Sequence, residues 1–340
     1  LTSGGWRGSC DGHPAATMEK PDPILLNDWH VVARASELGA GLPRTARLLG
    51  VDLVVWRGDS GVQVWDDLCI HRGAKLSGGK VRDGCLHCPY HGWTYNAEGA
   101  CVAIPAQPSQ KPPPRAHARV HPVRIAYDLV WTCLGEPTQE PPPFPEWDDP
   151  SYRRIPSGPY AFNALGPRVI ENFLDVGHFP FVHAGYLGDP GHTEIEDYEA
   201  EITATGVIAR DIPIWQPDPD GTGKSAKVLY TYEALRPLTA RFTKKLGEQR
   251  FSMIDIVTPV DESRSLAWAI MVINYGFDAP IETFVTFQDA VTAQDLPIVE
   301  SQRPEMLPLD LQAELHLRSD RTAIAYRKWL RQLGLRYGTS

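Results

Sequence analysis

Between residues 28 and 135 the apolar positions fall in short runs, WHVVARA, ARLLGVDLVVWRG, GVQVWDD and VRIAYDLVWTCLG, separated by Gly, Asp and Asn. Runs of this length with such punctuation predict many short strands joined by tight turns. The pattern stops at EPTQEPPPFPEWDDP, residues 136–150, where proline density forbids helix interiors and central strands and predicts an extended linker. Beyond it, residues 165–187 form an apolar, partly helical stretch that carries histidines. Strand patterning returns over 199–275 in YEAEITATGVIARDI, KVLYTYEAL, RFSMIDIVTPV and SLAWAIMVINY. Residues 280–303 and 319–334 read as helices, the second with an apolar stripe of Ile324, Trp329, Leu330 and Leu333. Strands flanked by helices predict an α+β arrangement over an antiparallel sheet. The chain therefore divides into a leader (1–23), an all-β unit (24–135), the linker (136–150) and a mixed unit (151–340).

Composition narrows the function classes. With 42% apolar and 22% charged residues the chain has a globular balance, and its 340 residues suffice for two cores. No segment approaches the roughly 20 consecutive apolar residues that cross a bilayer, so no membrane partner is expected. A net charge of -9 without a basic stripe argues against nucleic acid and for small-molecule or protein partners. Six cysteines are too few for a disulfide scaffold, and two sit at metal-ligand spacing, which predicts a reducing, cytoplasmic setting. Residues 1–17 are rich in Gly, Ser and Thr, lack the apolar core of a secretory signal and predict a disordered leader. Met18 reads as a more natural start, and Cys10 and His13 are given no role.

The strongest chemical signal is Cys69-Ile-His71, sixteen intervening residues, then Cys88-Pro-Tyr-His91. Two thiolates on one iron and two imidazoles on the other make an iron–sulfur cluster with a raised potential, about -150 to +300 mV. A structural zinc site also takes two Cys and two His, but zinc fingers pair like with like, whereas each loop here supplies one of each. Gly73, Gly78, Gly79, Gly84, Gly92 and Gly99 provide the turns that bring two loop tips together. His87, Cys85, Cys101 and Cys133 fall outside the ligand pattern.

The stretch from CIHRGAKLSGG to CPYHGWTYNAEG, with Trp93 and Tyr95 following the second pair, resembles the cluster-binding loops of Rieske non-haem iron oxygenases. The resemblance extends from about residue 24 to the end of the chain. It implies an N-terminal all-β Rieske [2Fe-2S] domain, with Cys69, His71, Cys88 and His91 as cluster ligands, followed by a C-terminal helix-grip catalytic domain.

Residues 171–183, ENFLDVGHFPFVH, place Asp175, His178 and His183 in an apolar segment. His178 and His183, five apart, would diverge by roughly 140° on a regular helix. Pro180 between them is therefore expected to kink the helix and re-aim both rings. Two histidines and a carboxylate on one face of an iron leave open positions for O2 and substrate. The competing reading is a pair of buried histidines in an aromatic core of Phe173, Phe179 and Phe181. The Asp-x-x-His-x-x-x-x-His pattern is similar to that of the same oxygenases, which implies that His178 and His183 bind a mononuclear iron. It also implies that a distant Asp completes the site, and that Asp175 bridges electron transfer to a cluster histidine of the next subunit in a head-to-tail homotrimer. Among Asp278, Asp289, Asp295 and Glu300 the choice is Asp295, expected at a helix start in QDLPIVESQRP, a segment resembling the one that carries the iron-binding Asp in the smaller family members; Asp289 comes second. His30, His117, His121, His192 and His316 default to structural or surface roles.

The resemblance implies a terminal oxygenase that hydroxylates or oxidatively demethylates a small aromatic or alkaloid-like molecule with O2. FPEWDDP and SDRTAIAYRKWLRQLGLRYG resemble the saxitoxin-biosynthesis subgroup, with vanillate demethylase-type and toluenesulfonate-oxidising enzymes more remote. No Gly-x-Gly-x-x-Gly fingerprint occurs, so a separate NAD(P)H-dependent reductase, acting directly or through a ferredoxin, is expected. Two alternatives are an electron carrier with a non-catalytic ligand-binding domain and a zinc-stapled module. Alternation alone leaves open whether Phe162, Trp215, Tyr230, Met253, Trp268 and Met271 face a cavity or a core.

Overall fold

The computed structural model describes residues 22–39 and 41–340. Most of the expected leader, with Cys10 and His13, lies outside the described residues. Its last two positions are not leader: Asp22 caps helix α1 (Pro23–Leu26) by accepting from the Ile24 N–H, and Pro23 opens the helix. The same carboxylate accepts the backbone N–H groups of Arg336 (2.6 Å) and Tyr337 (3.0 Å), clasping this end to the C-terminal segment.

The N-terminal half is built from short strands: β1 (His30–Arg34), β2 (Arg44–Leu48), β3 (Val51–Gly58), β4 (Gly61–Asp66), β5 (Lys80–Arg82), β6 (Cys85–His87), β7 (Thr94–Tyr95), β8 (Cys101–Ala103), β9 (Val120–His121), β10 (Val123–Ala126) and β11 (Leu129–Thr132). They form three antiparallel sheets ordered β2-β3-β4-β9, β5-β6-β7-β8 and β1-β11-β10. Trp56, Trp65, Leu76, Leu86 and Tyr95 pack with Cys69 and Cys88 into one core, so the two cysteine loops rest on a rigid base.

The C-terminal half contains one seven-stranded antiparallel sheet of β12 (Arg153–Phe162), β13 (Ala200–Ile202), β14 (Val207–Gln216), β15 (Ala226–Arg236), β16 (Thr239–Leu246), β17 (Gln249–Pro259) and β18 (Ser265–Ile273). Its order is β12-β18-β17-β16-β15-β14-β13. Helices α2 (Gly166–Leu174), α3 (Phe179–Val182), α4 (Ile281–Ser301) and α5 (Arg321–Leu333) accompany it. The mixed α+β architecture matches the expectation, and α4 and α5 form where the helical patterns predicted them. No helix among the described residues is long and apolar enough to cross a membrane.

Because side chains alternate across a strand, β17 and β18 serve two layers. Phe251, Met253, Asp255, Ala267 and Ala269 face a cavity beneath the helices. Ile254, Ile256, Trp268, Ile270 and Val272 face the other way and share a core with Trp29, Val31, Leu129, Trp131 and Phe144 of the N-terminal half. The proline-rich 136–150 segment is pinned to that core. Phe144 is buried, its N–H donates to the Tyr127 hydroxyl, and that hydroxyl donates to the Pro142 carbonyl.

Helix α2 is fixed to α5 by a buried ion network. Arg327 grips both Glu171 (Nη2–Oε2 2.8 Å) and Glu314 (2.6 Å), and Arg168 reaches Glu314 at 2.9 Å. The histidine segment follows α2 directly, so this anchor sets where it emerges.

Candidate metal centres

Loop Cys69–Gly73 follows β4 and loop Cys88–Gly92 follows β6, and both close in the same way. The Gly73 N–H donates to the Cys69 carbonyl (2.9 Å) and the Gly92 N–H to the Cys88 carbonyl (3.1 Å). Both glycines are left-handed, with φ of 71° and 68°, which the tight reversal after each histidine requires. The His71 and His91 rings stand 4.7 Å apart between centroids, and His71 stacks on Trp93 at 4.5 Å. Cys69 Sγ lies 3.2 Å from the Tyr95 hydroxyl.

Two observations bear on what these loops hold. Nδ1 of His71 is buried with no hydrogen-bond partner among the described residues, the state of a nitrogen that a metal would satisfy. A single zinc with bonds of about 2.0–2.3 Å would also keep all four donors within roughly 4 Å of one another. Among the described residues, the set of three or more donors that converges within 4.8 Å is His178, His183 and Asp295, not these four. Two thiols on one side and two imidazoles on the other suit a two-iron cluster. Desolvation, then the neighbouring His91 and Arg72, hold the His71 pKa below its ordinary value, which favours the neutral ligand form. His87 turns to Thr94 (3.0 Å), Cys101 and Cys133 are buried elsewhere in the core, and Cys85 lies half-buried on β6.

The second site departs from the expected kinked helix. Helix α2 stops at Leu174, Asp175 is extended (ψ 138°), and the chain restarts at His178, which caps α3. The break comes from Asp175, whose Oδ1 accepts the Gly177 N–H at 2.9 Å and replaces a helical bond with an Asx turn. Pro180 sits in the first turn of α3, where its missing N–H costs nothing, so it starts a helix rather than bending one. Asp295 is also not at a helix start; it lies well inside α4.

These elements bring three donors together. The Nε2 atoms of His178 and His183 are 3.1 Å apart, and Asp295 Oδ1 is 3.5 Å from the first and 3.1 Å from the second. An ion bound by three donors at right angles through bonds of roughly 2.1 Å spaces them about 3 Å apart, so the residues present fit a facial triad. Each ring is oriented from behind. His178 Nδ1 donates to Asp175 Oδ2 and His183 Nδ1 to Gln294 Oε1, both at 2.8 Å, which leaves both Nε2 atoms free for a metal. Burial raises the Asp175 pKa, but the hydrogen bond and charge of His178 outweigh it and the net shift is downward. For His183, burial lowers the pKa, and the hydrogen bond and charge of Asp295 together with the Gln294 hydrogen bond more than reverse it.

The other carboxylates are engaged elsewhere: Asp289 accepts from Tyr160 (2.7 Å) and Glu300 from the Asn163 N–H (2.8 Å). Asp278 falls in the turn before α4. Sequence reasoning missed Gln294 and Asn172, whose amide reaches Asp295 Oδ1 at 3.4 Å. Gln294 precedes the chosen Asp, and that adjacency was the one available signal.

The triad opens into a cavity with about 830 Å³ of empty space, counting its open mouth, walled by Phe173, Tyr230, Tyr232, Phe242 and Phe251. Of the undecided positions, Phe162, Tyr230 and Met253 line it. Trp215 stacks on His192 at 3.8 Å, Trp268 faces the N-terminal half, and Met271 packs with Ile155 and Ile273.

Residues 28–120 match the family model of the Rieske [2Fe-2S] domain, and residues 162–336 match that of the vanillate O-demethylase oxygenase C-terminal domain. The chain belongs to the Rieske non-haem iron oxygenases. The oxygenase is 31% identical to methylxanthine N1-demethylase NdmA of Pseudomonas putida, over 91% of this chain and 89% of that one. The solved structure of Pseudomonas putida CBB5 NdmA superimposes with a TM-score of 0.78 at 30% identity, covering 91% of each chain. A 118-residue stretch is 39% identical to oxidoreductase NdmD of Pseudomonas putida, covering 34% of this chain and 20% of that one. The oxygenase is thus the terminal component of an O2-consuming oxidoreductase system, with a Rieske [2Fe-2S] cluster, a mononuclear non-haem iron and electrons from a separate reductase. The electron-carrier and zinc-module alternatives fall with this assignment.

Proposed function

We propose that the oxygenase hydroxylates or oxidatively demethylates a small aromatic or alkaloid-like molecule, with iron held by His178, His183 and Asp295 and the cluster by Cys69, His71, Cys88 and His91. The observation that carries this reading is the 3.1, 3.1 and 3.5 Å triangle of donors at the wall of an aromatic cavity. When bound, the cluster delivers electrons and the iron activates O2 for attack on a substrate C–H bond. The protein's part is positional. Asp175 and Gln294 fix the two imidazoles, Asn172 steadies Asp295, and the aromatic walls exclude water. The similarity to methylxanthine N1-demethylase NdmA favours demethylation.

The cluster-bearing 24–135 and the iron-bearing 151–340 act as the two functional units. Asp175 is partly exposed and serves as the bridge to a cluster histidine of a neighbouring subunit in a homotrimer. Exposed Tyr90 beside His91 and exposed Phe181 beside His178 support such an interface, because both sites present apolar surface. The reductase draws on NAD(P)H, directly or through a ferredoxin. A cytoplasmic setting fits the five described cysteines, none of which is joined in a disulfide.

The test is iron quantification and EPR on anaerobically purified, dithionite-reduced protein. Wild type should hold roughly three irons per chain, two of them in the cluster. His178→Ala should keep the Rieske signal, lose one iron and stop consuming O2. Equal iron content in the two proteins would overturn the ligand assignment.

A further inference from the structure

Most polar side chains around the cavity already have protein partners. Lys244 donates to the Pro219 carbonyl (2.7 Å), Tyr160 to Asp289, Gln288 to Thr292 (3.1 Å), and the Tyr230 hydroxyl accepts from Gln216 (2.9 Å). Asp255 is different. It is 6% exposed and lines the cavity, yet its carboxyl receives no hydrogen bond from any described residue. The Tyr232 hydroxyl shares this lack of a partner, but a neutral hydroxyl is far cheaper to bury than a carboxyl.

The surroundings of Asp255 leave room for a ligand. Its cross-strand neighbours are Ala240 on β16 and Ala269 on β18, and Ser157 on β12 continues the row. Phe251 and Met253 stand on the same face, so a row of small side chains carries one carboxyl at the foot of an aromatic wall. Burial, then the negative charge of Asp295, pushes the Asp255 pKa up to about 7, and both carboxyls line the same cavity. A buried, unpartnered polar group destabilises a protein by about 1–3 kcal/mol, more when charged, so its presence in a binding cavity calls for a partner from outside.

We propose that Asp255 anchors the substrate, accepting a hydrogen bond from an N–H or O–H group on a small, otherwise apolar molecule whose oxidised carbon then faces His178, His183 and Asp295. The inference rests on the oxygenase reading and names the substrate class for that cavity. Anionic molecules are disfavoured, because the Asp255 carboxyl repels them while Lys244 is already engaged. A planar amine, amide, N–H heterocycle or hydroxylated ring fits. One carboxyl in an apolar cavity also explains selectivity: a molecule without the donor leaves Asp255 unpartnered in the complex.

The test uses the full chain with cluster and iron loaded, kept anaerobic so that binding is measured without turnover. Calorimetric dissociation constants are compared for toluene, benzyl alcohol, benzylamine and benzoate. Benzyl alcohol or benzylamine should bind about tenfold or more tightly than toluene, with benzoate weakest. In Asp255→Leu that preference should vanish while toluene binds at least as well as to wild type. In Asp255→Asn, whose amide oxygen still accepts, benzyl alcohol should keep part of its advantage and benzylamine should lose most of it. Both variants should melt above the ligand-free wild type, because each removes a buried unpartnered carboxyl; a structural role for Asp255 predicts the opposite. Equal binding of toluene and both donor probes, no binding of either donor probe, tightest binding of benzoate, or lower melting of both variants would each overturn the proposal. The oxygenase reading fails by a separate route, through iron content and O2 consumption in His178→Ala.

Discussion

The hydrogen bond from His183 Nδ1 to Gln294 Oε1, at 2.8 Å, gives a perturbation whose size can be worked out. His183 is 1% exposed, so water cannot replace a lost partner. Gln294→Leu conserves most of the side-chain volume and removes the acceptor. The stranded ring N–H costs about 1–3 kcal/mol. The imidazole escapes that cost by moving its proton to Nε2, the atom that lies 3.1 Å from Asp295 and must be bare to bind metal. At about 1.4 kcal/mol per decade, the expected loss of iron affinity is roughly 5- to 150-fold, which agrees with the 10–100-fold typical of groups that orient a metal ligand. The assay is anaerobic competition for Fe(II) against a coloured chelator, with the Rieske EPR signal as internal control. Gln294→Glu, which still accepts, should stay near wild type. If Gln294→Leu holds iron within about threefold of wild type, or loses the Rieske signal in parallel, the orienting role is refuted.

Three further outcomes follow from other contacts. Arg327→Met leaves Glu171 only its longer 3.4 Å contact with Arg168 in the buried network between α2 and α5 and should cost about 3 kcal/mol in urea unfolding; a change under about 1 kcal/mol would show that the network carries little stability. Asp255 has a folded pKa near 7, above its unfolded value, so the folded state binds more protons across that interval and stability falls as pH rises from about 4 to 7. The stability advantage of Asp255→Asn in iron-free protein should therefore grow across that window, and a flat difference would contradict it. Tyr95→Phe removes the hydroxyl 3.2 Å from Cys69 Sγ and should lower the cluster potential in an EPR-monitored titration, since hydrogen bonds to sulfur stabilise the reduced form; an unchanged potential refutes this.

What could be read from the chain follows the range of the forces involved. The cluster loops were legible because ligand spacing and the glycines after each histidine are local requirements. The strands from 199 to 275 were legible because a half-buried strand writes its period into neighbouring residues. The break before His178 was not, because it depends on whether the Asp175 carboxylate bonds Gly177 or points away. Asp295 was chosen as the third donor, and the structure brings it beside His178 and His183, but from inside its helix rather than from the start. Pro297, two residues on, lies inside α4, where a proline ordinarily breaks a helix. Gln294, Asn172 and Asp255 take their meaning from residues more than a hundred positions away or from a ligand, and no periodicity records that. Likewise, Met253 and Trp268 could be assigned to a cavity or a core only once the register of β17 against β18 was known.

The tryptophan-rich layer formed by Trp29, Trp131 and Trp268 limits how this protein can be recombined with its relatives. A chimera cut within the proline-rich strap would set a foreign sheet against tryptophans shaped for this one, and would detach Phe144 from its seat. The segment that travels with the cluster is therefore wider than the 28–120 that carries the Rieske signature, and its outer boundary is drawn by packing rather than by chemistry. Shuffling libraries built on the two signatures alone should be dominated by insoluble members, whereas those that carry the β17 and β18 outer-face residues along with the donor cluster half should yield folded enzymes.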